Sequence, residues 1–170
     1  MPLRPITLAA VAGLLALCLA QAAAARTVEL PAAAPVATVE IPDDWTLVEV
    51  ARGIEARSPD DEVALWIEAY LPEDYLELVA EHAAFLRSED IAIVSAPRTD
   101  THTEDGMTAR FTDFDATWRG ATTILWYTVF DFGLPDRKQV LMTLWASPDG
   151  HATHEAAVGS IIGSLVQGAK

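Results

Sequence analysis

The chain of 170 residues has one cysteine, Cys18, and no asparagine. A single thiol cannot close an intramolecular disulfide, so packing alone must hold the fold. Without asparagine there is no acceptor for N-glycosylation. Basic residues are few: 11 Lys and Arg stand against 25 Asp and Glu, for a formal net charge of −14. A surface of that sign repels nucleic acid and anionic lipid headgroups, which argues against both as partners. Also missing are the glycine-rich loops that cradle phosphates, Cys-x-x-Cys, His-Glu-x-x-His and Gly-x-Ser-x-Gly. Their absence removes the motif-based case for nucleotide, redox, zinc-protease or nucleophile-elbow chemistry. No cofactor is expected, and the chain reads as a non-enzyme.

What is present begins with a leader. Arg4 supplies a cationic start, Ile6 to Ala20 an apolar run, and Ala22 to Ala25 a small-residue stretch before Arg26. The apolar run, about 15 residues, is shorter than the ~20 that a spanning helix needs. Residues 1–25 are therefore predicted to be a cleavable signal peptide, giving a periplasmic or extracellular protein with no stable membrane span in its mature form. Cys18 lies within this leader. Leu15-Ala16-Leu17-Cys18 resembles a lipobox, but Leu17 stands where a small residue is required, which makes a lipoprotein the second reading.

Residues 26–35, rich in alanine and proline, are expected to be a flexible leader to a single domain over 36–168. Short runs punctuated by Pro-Asp, Arg-Gly and Ser-Pro-Asp turns predict strands at 36–41, 46–51, 54–57 and 63–71. A helix is predicted from Pro72 to about Ser88, on a stripe of Tyr75, Leu78, Val79, His82, Ala83 and Leu86. Strands follow at 91–95, 107–118, 122–132 and 139–146, with 97–106 read as a polar connection. The strand at 122–132 is apolar on both faces and belongs mid-sheet. A last helix is predicted over 152–166, with Gly159 and Gly163 expected to permit close packing. Strands, helix, strands, helix without βαβ alternation indicates an α+β domain: a single antiparallel sheet flanked by two main helices.

Four segments carry a likeness to a known family: Val39-Glu40-Ile41-Pro42-Asp43-Asp44-Trp45, Gly53-Ile54-Glu55-Ala56-Arg57-Ser58-Pro59, the mid-chain helix, and Ile161-Ile162-Gly163-Ser164-Leu165. With these, the chain resembles the PsbP-like superfamily, whose bacterial members include the DcrB-type periplasmic proteins. The resemblance implies a curved antiparallel sheet between helices. It also implies work as an assembly factor, accessory subunit or small chaperone rather than a catalyst.

Candidate functional residues fall in three groups. Trp66, Glu68 and Tyr70 share one face of a predicted strand, and an exposed aromatic pair beside a carboxylate suits a protein-binding surface. This fits the leading expectation: an exported accessory, assembly or binding protein acting through contacts with an envelope partner. Asp113 and Asp115, on one side of their strand, together with His102, would be the acidic site of a small-ligand carrier or hydrolase. His151 and His154, three apart at the start of the last helix, would hold a divalent metal if further ligands converge on them.

Overall fold

The computed structural model describes residues 24–136 and 138–169, so the predicted signal peptide, Cys18 included, lies almost entirely outside the described residues. The elements are β1 (Ala25–Leu30), β2 (Ala37–Pro42), β3 (Thr46–Val50), β4 (Gly53–Arg57), β5 (Val63–Tyr70), α1 (Tyr75–Ser88), β6 (Ile91–Ile93), β7 (Arg98–Glu104), β8 (Met107–Trp118), β9 (Ala121–Asp131), β10 (Gln139–Ala146) and α2 (Pro148–Gln167). A 3-10 turn over Pro72–Asp74 leads into α1.

Two sheets form where a single one was expected. The larger has eight strands, all antiparallel, in the order β3-β4-β5-β10-β9-β8-β6, with β7 also paired to β8. The smaller is the β1–β2 ribbon. The ribbon also corrects the flexible-leader expectation for 26–35. Val28 and Leu30 alternate with Thr27 and Glu29, Leu30 is buried, and Arg26 donates to the carbonyl of Trp45. Two alternating pairs are too short a pattern to stand out beside Pro31 and the alanines, but they suffice once β2 offers a partner. The other edge of β2 is finished by the end of α2: Thr38 N–H donates to the Gly168 carbonyl at 2.9 Å and Glu40 N–H to Ser164 Oγ at 2.8 Å.

The second correction is β7. Its sequence, RTDTHTE, is exposed along its whole length, so it shows no hydrophobic alternation. Its strand character lies in the β-branched threonines and in the Asp105-Gly106 hairpin, where φ is 49° and 84°. Thr99 and Thr103 meet Thr112 and Thr108 across the pair at 3.2 and 3.1 Å. An edge strand of this kind, polar on both sides, resists unwanted strand addition.

The predicted middle strand is β9, flanked by β10 and β8. Each face of the large sheet has its own core. On the first, Ile67, Phe130, Met142 and Leu144 pack under Val158, Ile161 and Leu165 of α2 and Leu30, Val39 and Ile41 of the ribbon. On the second, Leu125, Tyr127, Val129 and Leu141 pack under Leu78 and Leu86 of α1. α2 begins earlier than predicted because Ser147 accepts from Gly150 N–H at 2.9 Å and Pro148 occupies the first turn, so Ser147-Pro148-Asp149-Gly150 is a helix cap and not a free turn. Gly159 and Gly163 do not allow a close approach, since a Cβ at either would touch nothing within 4 Å. Gly53 does: a Cβ there would lie 2.0 Å from the Ile67 carbonyl of the neighbouring strand. Among the described residues no helix is long and apolar enough to cross a membrane.

Candidate binding site

The site lies between α1 and the second face of the sheet. Leu78, His82 and Leu86, one turn apart on the stripe, are the buried residues of α1. Leu78 and Leu86 pack on the sheet, whereas the imidazole between them must find polar partners once desolvated. It finds two. Nε2 lies 2.5 Å from Glu68 Oε2 on β5, and Nδ1 lies 2.9 Å from Thr143 Oγ1 on β10. Leu141 stands opposite Glu68 and Thr143 opposite Trp66, so Glu68 and Thr143 are diagonal neighbours across the β5–β10 pair. A diagonal of that kind is ~7–8 Å long, which an imidazole with a hydrogen bond at either end can span. All three side chains are buried, Thr143 completely.

Next to this network is a cavity of about 200 Å³ lined by Val50, Trp66, Glu68, Glu81, His82, Phe85, Leu86 and Thr143. Trp66 forms one wall, edge-on to Phe85 at 5.2 Å and to His82 at 6.2 Å. The Arg52 guanidinium, from the turn between β3 and β4, reaches two of the lining carboxylates. It donates to Glu81 Oε2, and its Nε lies 3.7 Å from Glu68 Oε1. At that separation Nε, although buried, makes no hydrogen bond. Tyr127 lies edge-on to His82 at 6.2 Å, and burial pushes its phenol up to about 12.

Chemically, the three groups form a carboxylate–imidazole–hydroxyl series. With His82 neutral, Nε2–H donates to Glu68 and Nδ1 accepts from the Thr143 hydroxyl; with His82 protonated, both nitrogens donate. Such a series resembles that of acyl-transfer enzymes, but its surroundings differ. Thr143 lies mid-strand between two ladder partners, so the neighbouring backbone N–H groups are spent within the sheet rather than aimed at a reacting oxygen. The arrangement fixes α1 on the sheet and shapes a cavity.

The sequence-predicted residues fare differently. Trp66, Glu68 and Tyr70 do share a face, but α1 covers it and each is at most 7% exposed, so they are not an open surface patch. Trp66 and Glu68 line the cavity. Tyr70 does not: its hydroxyl donates to Gln139 at 2.8 Å, and burial raises its phenol above the ordinary range. Asp113 and Asp115 share an open cleft with Arg98, and His102 is not part of it. His102 is exposed, paired with Asp100 at 3.2 Å and lying against Phe111. Asp115 accepts from Ser95 at 2.6 Å and Arg98 at 2.9 Å, and these bonds hold its carboxyl below the usual range. His154 is turned to Asp60 at 2.9 Å and lies edge-on to Trp45. Among the described residues no group of three or more His, Cys, Asp or Glu gathers where a metal could be held, so His151 and His154 lack the further ligands they would need.

Sequence reasoning missed Arg52, Glu81, His82, Phe85 and Thr143 as site residues. A signal existed for two of the network residues. Histidine on an apolar helix stripe, and glutamate in a strand of otherwise apolar residues, are buried polar groups that require partners, and here each is the other's.

No protein-family model and no curated protein matches this chain. Solved structures do. The solution structure of the cyanobacterial PsbP protein CyanoP from Synechocystis is similar with a TM-score of 0.58 at 12% identity, covering 84% of this chain and 91% of that one. The crystal structure of the Ran-binding protein Mog1p from Saccharomyces cerevisiae is similar with a TM-score of 0.50 at 8% identity, covering 85% and 94%. Identities this low speak to architecture alone, and on that evidence the chain has a PsbP-like α+β fold.

Proposed function

We propose that this chain is an exported accessory protein without catalytic activity, which works by holding a partner protein of the cell envelope at the cavity beneath α1. The observation that carries this reading is one cavity with aromatic walls, Trp66 and Phe85, and a floor of buried polar groups committed to one another. A hollow of that composition can grip an anchoring side chain and offers no free nucleophile. Mog1p is described as Ran-binding, so the fold carries protein binding in one of its other settings, although a shared fold does not choose the partner. Export rests on the leader, and the finer likeness to DcrB-type periplasmic proteins belongs to the same proposal.

The test places a photo-activatable phenylalanine analogue at Phe85, on the cavity rim, in cells that make the full chain. Irradiation is expected to yield one dominant crosslinked envelope protein, identified by mass spectrometry, that is absent when the analogue replaces Phe111 beside His102. Equal, diffuse crosslinking from both positions would overturn the reading.

A further inference from the structure

Arg52 occupies its seat incompletely. Its guanidinium spans Glu68 and Glu81, two carboxylates that line the cavity, yet its Nε is buried without a hydrogen bond and a third of the side chain is in solvent. A guanidinium is a planar fork of five donors, and a well-made seat for it uses them in parallel pairs. Here the seat is at least one bond short. The rest of the cavity is also suited to this group. Trp66 and Phe85 are the kind of π surface on which a guanidinium settles, and Val50 and Leu86 add aliphatic wall beside them. Two carboxylates meet one guanidinium, with His82 bonded to the far oxygen of Glu68, within a chain of net charge −14.

From this we infer that the cavity is a guanidinium slot: an arginine side chain of the partner protein enters beneath α1, takes the place of Arg52 between Glu68 and Glu81, and lays its aliphatic arm against Trp66 and Phe85. The inference rests on the proposed function and specifies the chemistry of the partner. Arg52 is the group able to yield. It lies in the two-residue turn between β3 and β4, it is partly exposed, and swinging into water breaks a surface ion pair of the kind that contributes little. Glu68 stays in place because His82 holds its other oxygen. The exchange is thus one guanidinium for another, with the newcomer gaining the aromatic contact and the cavity volume that Arg52 leaves unused.

The experiment is a titration of the purified protein, as recovered from cells that make the full chain, with n-butylguanidinium, and in parallel with n-butanol and with two capped Gly-X-Gly peptides, one carrying arginine and one its neutral isostere citrulline. Binding is followed by calorimetry and by the amide and indole signals in two-dimensional NMR. The expected result is saturable binding of n-butylguanidinium and of the arginine peptide, with shifts centred on Trp66 and Phe85. Binding should tighten at least fivefold in Arg52→Ala, whose seat is vacant, and weaken at least fivefold in Glu81→Gln. The citrulline peptide and n-butanol should bind at least tenfold more weakly. Circular dichroism spectra and melting curves like those of the parent show that both variants fold. Equal binding of the citrulline and arginine peptides, or no binding of n-butylguanidinium to Arg52→Ala, would overturn the slot. The two readings fail separately: a crosslink at Phe85 without guanidinium binding leaves an envelope partner that uses other chemistry, whereas guanidinium binding without any crosslink leaves a slot and removes the envelope partner.

Discussion

On one face of the large sheet, α2 and the β1–β2 ribbon bury a continuous apolar cluster, with the hydroxyl of Thr128, opposite Met142, buried on the same side but joined to no polar network. On the other face α1 covers a smaller cluster, and Glu68, His82 and Thr143 interrupt it. The difference separates two tasks. Apolar contact is strong in sum but non-directional, so the first face supplies bulk stability and tolerates a range of packings. Hydrogen bonds to an imidazole allow one placement. The second face therefore trades hydrophobic burial for a fixed position of α1, and a hollow beside the helix survives because the helix cannot settle further onto the sheet.

Breaking the first face should have the largest effect. Phe130→Ala, at a fully buried position, is expected to lower unfolding free energy by about 3–5 kcal/mol in a denaturant titration, with the cavity under α1 unchanged in the native state. A loss under ~1 kcal/mol would mean that this face repacks and the contrast between the faces is false.

The second face should respond in a different way, depending on what is left behind. Glu68→Ala leaves His82 Nε2 without its buried partner and removes one of the two carboxylates beside Arg52, at a cost of about 3–5 kcal/mol. Replacing both partners, Glu68→Leu with His82→Leu, is expected to recover most of that loss, because no buried polar group then lacks its mate. Should the double variant be no more stable than the single one, the network contributes net stability and not only position. Thr143→Val keeps the shape of the side chain and deletes one hydrogen bond to Nδ1, so about 1–3 kcal/mol is expected.

The smallest expected effect lies outside both clusters and sharpens the comparison by pH. Asp60 accepts hydrogen bonds from Ser58 at 2.6 Å and from His154 at 2.9 Å, and these hold its carboxyl well below the ordinary aspartate value of 3.8. The folded state thus binds fewer protons than the unfolded chain in acid. The stabilisation is complete above that ordinary value and drains away as pH falls below it. Melting temperature should accordingly drop less steeply between about pH 5 and pH 2 in Asp60→Asn than in the parent chain. Parallel curves would show that the pair does not couple folding to protons.

Local pattern made much of this molecule legible. The alternation of Val63, Leu65, Ile67 and Ala69 against Trp66, Glu68 and Tyr70 placed β5, the two-sided apolar run placed β9 at the centre, and the stripe through Leu78, His82 and Leu86 placed α1. What local pattern does not contain is which element covers which face. Trp66 and Tyr70 read as core or as an exposed pair, because nothing in β5 announces that a helix later in the chain folds back over them. The strand at β7 escaped because a strand wetted on both sides has no apolar period to read. At the site, the pattern of β5 singles out Glu68 as part of an exposed face, whereas it is buried. Arg52, from a turn, and Thr143, from a strand about 75 residues downstream of Glu68, join it only through sheet pairing, which is a long-range property.

The small ribbon has a consequence for the order in which the chain takes shape. Its strand β2 has β1 on one side, and on the other it is finished by Ser164 and Gly168, the last of these bonded to a residue 130 positions earlier. A Cβ at position 168 would sit 2.2 Å from the Thr38 carbonyl, so the seam closes only around glycine. A chain made from its first residue onward therefore completes the outer edge of β2 only after its final helical turn has emerged, so that edge is the last piece of the molecule to be closed.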